Sequence, residues 1–331
     1  MPNVSEGRDP RTIAQLAAAF AGEDPHGGAP GEDPQGGAPG EDPQGGALGE
    51  DPRDDAARVR LLDVHTDRDH HRTVFTLAGP PAQLADALAR GARVAVQRID
   101  VMRRAGASPE ELGQHPYVGA LDVAPLVYLD PAERGAACAA ALVLGDRIGA
   151  ELDVPVFMYG ELSGVDGASM RTRAQLRRGG PAGLAERMGA GEPPLTPDFG
   201  PARMHPSAGA TLLAARPPLV AFNLQLAPPA GLDDARRIAA LIRDGGAGGL
   251  PGVRAIGVAL DGGVAQVSMN VERPFELALA QIVAAVRTHA PVASAELVGL
   301  APAAALAGFP PELALRGFDP ARHVIENALR C

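Results

Sequence analysis

The chain of 331 residues contains no lysine, so all 30 of its basic residues are arginine. This absence excludes chemistry that needs a side-chain amine, such as Schiff-base formation with pyridoxal phosphate. It also excludes a P-loop, whose lysine reaches the phosphates of a nucleotide. The sequence further lacks the G-x-S-x-G turn of serine hydrolases and the glycine fingerprint that follows a strand in dinucleotide-binding domains.

Cysteine, aromatic residues and long apolar runs are also scarce. The two cysteines, Cys138 and Cys331, are too few for a disulfide framework, which favours a reducing compartment. No stretch of about 18 apolar residues and no signal-peptide pattern is present, so we predict a cytoplasmic protein that does not enter membranes. The formal net charge of -10 predicts no binding to nucleic acid, which requires a basic face.

A low-complexity repeat occupies residues 22–48, where GEDPHGGAP, GEDPQGGAP and GEDPQGGAL follow one another before GEDP begins again at Gly49. Glycine, proline and acidic residues offer almost no apolar surface to offset the entropy lost on ordering. We therefore predict a disordered insertion over residues 22–56. A folded domain tolerates such an insertion because loop-closure entropy grows slowly with length.

The second half of the sequence has the clearer pattern of strands and helices. In order, the patterns predict a strand, a helix, a hairpin around Asp-Gly-Gly, a helix and a strand, at residues 217–226, 232–246, 253–271, 274–290 and 292–300. This order is the β-α-β-β-α-β unit of ferredoxin-like folds.

The first half approximates the same order with additions. Asp9 and Pro10 form an N-terminal helix signal, and a long helix is predicted over residues 81–104. We predict an α/β (α+β) fold of two ferredoxin-like βαββαβ-type subdomains, residues 1–216 and 217–331. A substrate cleft is expected between them, because paired subdomains commonly hold a site at their junction.

His115 lies in ELGQHPYVGALDVAPLVYL, directly before a predicted buried strand. Pro116 biases His115 toward extended geometry, and Gly119 permits a close approach of the backbone. A histidine held in this way suits a general base, because its ordinary pKa of about 6.5 needs little adjustment. A loop that only turns the chain fits the spacing equally well.

Other titratable clusters allow more than one interpretation. His65, His70 and His71 stand among aspartates in DVHTDRDHHRT, which fits either a metal site or a solvated turn. His205 lies in a Gly/Pro-rich segment that is either a ligand loop or a linker. The arginines of RTRAQLRRGG, residues 171–180, either recruit an anionic substrate or form a solvated helix face.

Seven segments, taken together and in order, resemble the glutamate formimidoyltransferase family across nearly the whole chain. They are MPNVSEGRD, LLDVHTDRDHHRTVFTL, HPYVGALDVAPL, DVPVFMYGE, PDFGP, LVAFN and AQVSMN. The resemblance implies two α/β subdomains, a folate cleft, a homodimer and transfer of the formimino group of N-formimino-L-glutamate to N5 of tetrahydrofolate in histidine degradation. It implies tetrahydrofolate as co-substrate and no metal. The cyclodeaminase domain of bifunctional members is not expected here, so a separate cyclodeaminase would act downstream.

The resemblance implies that His115 is the acid–base residue, because it matches the histidine of the family's HPR-x-GALD motif. Arg72 matches an arginine of the family, and we expect it to clamp a carboxylate because both substrates carry carboxylates. His65 is a further substrate-binding candidate. The folate-contacting segment falls on Gly200, Pro201, Ala202, Arg203, Met204, His205, Pro206, Ser207, Ala208 and Gly209.

The sequence departs from the motif at Tyr117, where the family has an arginine. A tyrosine cannot make the charged, bidentate contact of an arginine. Three alternatives therefore stand beside the transferase: a folate-dependent one-carbon transferase with another donor, a non-catalytic folate-binding paralogue, and a metal-dependent hydrolase built on the clustered histidines.

Overall fold

The computed structural model describes residues 1–23, 58–104, 115–163, 170–190 and 194–330. The predicted insertion over 22–56 lies outside the described residues, except for its first two positions. Gly22 ends the first helix with a left-handed φ of 86°, and its N–H donates to Ala18 O. Among the described residues, no helix combines the length and the apolar character needed to cross a membrane.

The first part of the chain forms a six-stranded sheet with the strand order β2-β3-β1-β4-β6-β5. Its elements are β1 (Asn3–Val4), α1 (Pro10–Ala21), β2 (Arg60–Asp67), β3 (Arg72–Ala78), α2 (Pro81–Arg98), β4 (Leu121–Val127), α3 (Arg134–Leu152), β5 (Val156–Met158), α4 (Arg173–Arg177), α5 (Gly180–Ala190) and β6 (Thr211–Arg216). The first four strands pair antiparallel, whereas β6 pairs parallel with β4 and β5.

The second part forms a five-stranded sheet with the order β11-β10-β7-β9-β8. Its elements are β7 (Val220–Leu226), α6 (Leu232–Ile242), β8 (Val253–Ala259), β9 (Ala265–Val271), α7 (Leu279–Arg287), β10 (Val292–Val298), β11 (Leu315–Arg316), α8 (Pro320–His323) and α9 (Ile325–Ala328). Its first four strands are antiparallel, and β11 is added parallel to β10.

The predicted α/β fold with two sheets is confirmed, and both sheets contain the β-α-β-β-α-β order. Three element predictions differ in detail. Helix α2 ends at Arg98 because the next residues are extended and the N–H groups of Val101 and Met102 donate to Ser207 O. Helix α7 is shorter than predicted, and β6 was not predicted at all. The division of the chain at residues 216 and 217 stays a prediction.

Helices α1, α2 and α3 cover one face of the first sheet, and α6 and α7 cover one face of the second, where separate apolar cores form. A third apolar cluster lies on the other face of the first sheet, where Leu176 of α4 and Leu184 of α5 pack against Leu212 of β6. In the first core, α1 and α2 pack so closely that a Cβ on Gly91 would lie 1.9 Å from the ring of Phe20. Only glycine at position 91 allows the two helices to pack this closely in the core of the first sheet. The opposite faces of the two sheets approach each other, and side chains from both enclose a cavity.

Candidate active site

Two connected spaces lie between the sheets. The inner cavity has a volume of about 110 Å³, and the outer cleft has a volume of about 1050 Å³. His115, Arg173 and Asn270 line both spaces. His115 therefore stands between the two spaces.

The loop that carries His115 is fixed to the segment before β6. Gly119 pairs with Gly209 in an isolated antiparallel bridge, and the N–H of Ala210 donates to Val118 O at 3.0 Å. A Cβ on Gly119 would lie 1.8 Å from Ala210 O, so no other residue type fits this approach. The expectation that a glycine permits close backbone contact beside His115 is confirmed.

The ring of His115 has two competing contacts at the same nitrogen. Nδ1 lies 2.8 Å from Pro116 O and 3.1 Å from Arg72 Nη1. If Nδ1 carries a proton, it donates to Pro116 O and leaves the lone pair of Nε2 free to act as a base. If Nδ1 is unprotonated, it accepts from Arg72, and Nε2 then carries the proton. Nε2 is therefore an acceptor in the first tautomer and a donor in the second.

The electrostatic surroundings keep His115 neutral. Burial of the ring and the positive charges of Arg72 and Arg177 lower its pKa well below the ordinary value of 6.5. A neutral imidazole at neutral pH is ready to accept a proton from a substrate. The surroundings therefore suit the role of general base.

Asp122 organises the charges behind His115. The side chain is fully buried on β4, and its Oδ2 accepts from Arg72 Nη1 at 2.9 Å and from Arg177 Nη2. Its Oδ1 accepts from the N–H of Val118 at 2.9 Å. Burial alone would raise the pKa of Asp122, but the two guanidinium groups hold it below its usual value. The carboxylate therefore stays charged and holds the guanidinium groups of both arginines in position.

Arg72, the predicted carboxylate clamp, lies in the inner cavity wall but is already engaged. Its Nε and Nη2 donate to Asn3 Oδ1 at 2.9 and 2.7 Å, while Nη1 contacts Asp122 and His115. These contacts orient the His115 ring. Binding of a substrate carboxylate by Arg72 stays a prediction.

The side chains of the three clustered histidines do not all lie in the same place. His65 and His70 line the inner cavity, whereas His71 packs elsewhere, accepting at Nδ1 from the N–H of Gly7 at 3.1 Å and lying 3.5 Å from Glu6 Oε1. In the part of the chain that the structure describes, no group of three or more potential ligands could hold a metal ion. The cluster therefore does not act as one unit.

The predicted folate segment, residues 200–209, packs against the loop that carries His115. Ala208 O accepts from the N–H of Ala120 at 2.8 Å, and His205 Nδ1 accepts from the N–H of Ala208 at 2.9 Å. None of these ten residues lines the inner cavity or the outer cleft. Their contact with folate stays a prediction.

Tyr117, the departure from the motif, is 8% exposed and lines the outer cleft. Burial raises the pKa of its hydroxyl, so the side chain is neutral. Positive charge reaches the same cleft from α4 and its end, through Arg173, Arg177 and Arg178. The arginine cluster seen in the sequence therefore faces the site, at least in part.

Beyond the predicted residues, the site contains some that the sequence alone could have indicated and others that it could not. Asp122 is one that could have been found, because a charged residue inside an otherwise apolar strand must have buried partners. Its partners could not have been found, since Arg72 lies 50 positions before it and Arg177 lies 55 positions after it. Asn270 has no distinguishing pattern, because its strand reads like any half-buried strand.

The fold and the site together bring a neutral histidine, held by a buried ion network, to the wall that two spaces share, an arrangement that suits acid–base chemistry. Comparison with known proteins identifies the class more closely. Residues 40–216 match the family model described as "Formiminotransferase domain, N-terminal subdomain".

Similar proteins carry matching names. The glutamate formimidoyltransferase of Streptococcus pyogenes serotype M1 is 35% identical over 254 residues, which are 74% of this chain and 80% of that protein. The glutamate formimidoyltransferase of Thermoplasma acidophilum is 29% identical over 309 residues, covering 91% of this chain and 87% of the relative. The formimidoyltransferase-cyclodeaminase of Sus scrofa is 36% identical over 254 residues, but the match spans only 44% of its length. The chain belongs to the formiminotransferase domain family.

Proposed function

We propose that this chain is a glutamate formimidoyltransferase, which moves the formimino group of N-formimino-L-glutamate to N5 of tetrahydrofolate in histidine degradation. The observation that carries the proposal is the place of His115, a neutral base at the junction of the inner cavity and the outer cleft. The names of similar proteins give the substrates.

In this reaction His115 moves one proton. Its Nε2 accepts the proton of N5 as that nitrogen attacks the formimino carbon, and the proton is returned to the glutamate nitrogen as the carbon–nitrogen bond breaks. A positioned acid–base group of this kind contributes about 10² to 10⁴ in rate. Arg72 and Asp122 hold the ring in place throughout.

Arginine side chains suit the anionic groups of both substrates. Arg173 lines both spaces, and Arg178 and Arg254 line the outer cleft. Because the chain as a whole has a net charge of -10, this local positive potential favours the cleft over the rest of the surface for an anion. Contacts of residues 200–209 with folate, and of His65 with substrate, are part of the proposal.

A second candidate keeps the folate cleft and changes the donor. Tyr117 favours it, because the permanently charged side chain of the family motif is missing beside the catalytic histidine. In the leading proposal, the arginines of α4 supply the charge that Tyr117 lacks.

The proposal extends to the setting of the enzyme. Its resemblance to the family supports a cytoplasmic homodimer that uses tetrahydrofolate as co-substrate, needs no metal and passes its product to a separate cyclodeaminase. A rate that is unchanged in the presence of a chelator would support the metal-free reaction, and an enzyme that stops in chelator would contradict it.

The test is a turnover assay with purified protein, tetrahydrofolate and N-formimino-L-glutamate, in which 5-formiminotetrahydrofolate is followed by absorbance. N-formyl-L-glutamate serves as the matched donor. Turnover of the formimino donor alone supports the proposal, whereas turnover of the formyl donor alone favours the second candidate. Folate binding without turnover of either donor would contradict both and indicate a binding paralogue, with Tyr117→Arg as the variant to test next.

A further inference from the structure

We propose that His70, held by Asp67, is a second catalytic residue of this site and protonates the departing glutamate nitrogen, leaving His115 as the base. This inference rests on the proposed transferase function and divides between two side chains the proton movements that one histidine could perform alone.

The geometry of the pair indicates this role. His70 is only 7% exposed and lines the inner cavity together with Asp67 and His115. Its Nδ1 lies 2.7 Å from Asp67 Oδ2, and its backbone N–H donates to Asp67 Oδ1 at 2.9 Å. The ring centroids of His70 and His115 are 6.2 Å apart, with an angle of 61° between the ring planes. Both rings can therefore reach one reacting centre.

The carboxylate determines which nitrogen of His70 is available. Because Nδ1 is hydrogen-bonded to Asp67 Oδ2, Nε2 is the nitrogen left to contact a substrate. In the described part of the chain, no protein group hydrogen-bonds Nε2 of His70. The second nitrogen of this buried, cavity-lining histidine is therefore available to hydrogen-bond a ligand.

The two histidines have surroundings of opposite charge. Arg72 and Arg177 stand beside His115, whereas the carboxylate of Asp67 stands beside His70. Burial would raise the pKa of Asp67, but the hydrogen bond from His70 keeps it below its usual value, so the carboxylate is charged. Paired titratable groups in opposite environments commonly divide the base and acid roles.

The step balances as follows. As N5 bonds to the formimino carbon, the π pair of the carbon–nitrogen double bond moves to the formimino nitrogen, and His115 Nε2 takes the proton of N5. In the proposed step His70 enters as the imidazolium, with Nδ1–H on Asp67, and gives the Nε2 proton to the glutamate nitrogen, which leaves with the electron pair of its broken bond to carbon. The pair on the formimino nitrogen restores the double bond as that bond breaks. A proton passes from His115 back to His70 through solvent, so the pair returns to its starting state.

The experiment compares leaving groups. His70→Ala is assayed with N-formimino-L-glutamate, whose departing amine needs a proton, and with N-formimino-4-aminobenzoate, whose anilinic nitrogen departs far more readily without one. We expect kcat to fall by about 10² with the first donor and by less than about threefold with the second. His115→Ala should lose activity with both. His71→Asn, whose side chain packs outside the cavity, is the matched control and should keep the wild-type rate.

The outcomes separate the two proposals. An inactive wild-type protein contradicts the transferase function itself. An active wild type with a His70→Ala variant that keeps its rate, or that loses equal activity with both donors, overturns the role of His70 alone. If the wild type does not accept the anilinic donor, rescue of His70→Ala by free imidazole decides, with no rescue contradicting the role. Should His70→Ala fail to fold, His70→Gln replaces it.

Discussion

The two walls of the inner cavity come from sheets that share the β-α-β-β-α-β unit but differ in chemistry. The wall from the first sheet and its loops carries all the ionisable side chains among the described lining residues: His65, Asp67, His70, Arg72, His115, Arg173 and Arg216. The wall from the second sheet carries only neutral side chains: Leu219, Ala221, Asn223, Ser268, Met269, Asn270 and Val298. One fold unit, used twice, thus presents ionisable side chains on one side of the cavity and neutral side chains on the other.

This difference indicates a division of labour. Groups that move or stabilise charge in the transition state affect kcat, whereas groups that bind substrate and transition state equally affect KM. Substitutions in the first wall should therefore lower kcat, and those in the second wall should raise KM.

The largest effect is expected for His115→Ala. Loss of the positioned base should lower kcat by about 10² to 10⁴, while the dissociation constant for tetrahydrofolate stays within about tenfold. Steady-state kinetics and a binding titration measure both quantities. Unchanged turnover would remove His115 from the mechanism.

Asp122→Ala, in the ion network behind the first wall, should be the most destabilising of these changes. It leaves the guanidinium groups of Arg72 and Arg177 without their buried carboxylate, and breaking such a network typically costs about 3–5 kcal/mol in the free energy of unfolding. Urea denaturation measures the loss. Asp153→Asn is the control, because the ion pair of Asp153 with Arg203 is exposed and should contribute less than about 1 kcal/mol, and asparagine tolerates the backbone φ of 56° at this position. Equal losses in the two variants would contradict the importance of the buried network.

His71→Asn tests an ionisable group of the first sheet that faces away from the cavity. Burial, with Arg104 nearby, lowers the pKa of His71 to about 4. Between pH 6.5 and about 4 the unfolded chain therefore takes up a proton that the folded chain does not. Stability should fall as the pH falls through this window, by on the order of 3 kcal/mol from this residue.

In His71→Asn that part of the pH dependence should disappear, with little change in kcat at neutral pH. Asparagine suits the site because the backbone φ of residue 71 is 48°, a value that asparagine tolerates. Denaturation curves at several pH values provide the measurement. A variant with the same pH profile as the wild type would show that His71 titrates normally in the folded state.

The smallest effect is expected in the second wall. Asn270→Ala should raise KM by about five- to tenfold with kcat nearly unchanged, because it removes neutral hydrogen bonds of about 1 kcal/mol. Initial rates over a range of both substrates make the comparison. A fall in kcat equal to that of a first-wall variant would contradict the expectation that the second wall affects KM and not kcat.

Much of the fold and one centre of the site could be predicted from the sequence. The β-α-β-β-α-β order follows from local periodicity. Pro116, Gly119 and the family resemblance single out His115, whose catalytic role stays a prediction. Strand β6 was missed because its six residues follow a long Gly/Pro-rich segment, and the strand forms only by pairing with β4 and β5.

The remaining site depends on three-dimensional geometry. His70 and His71 are adjacent and chemically identical, yet one faces the cavity and the other packs against Gly7. The turn that ends β2, together with the positive φ at His71, decides this difference. No pattern in the sequence predicts which of the two side chains faces the cavity. Likewise, the network around Asp122 joins residues that are distant along the chain.

The central claim is the movement of one carbon between two ligands at His115. The most direct measurement follows N-formimino-L-glutamate, labelled with ¹³C in the formimino carbon, by NMR in the presence of purified protein and tetrahydrofolate. The account predicts that the label moves to N5 of tetrahydrofolate while one glutamate is released for each label transferred. A label that stays on glutamate while tetrahydrofolate is bound would contradict it.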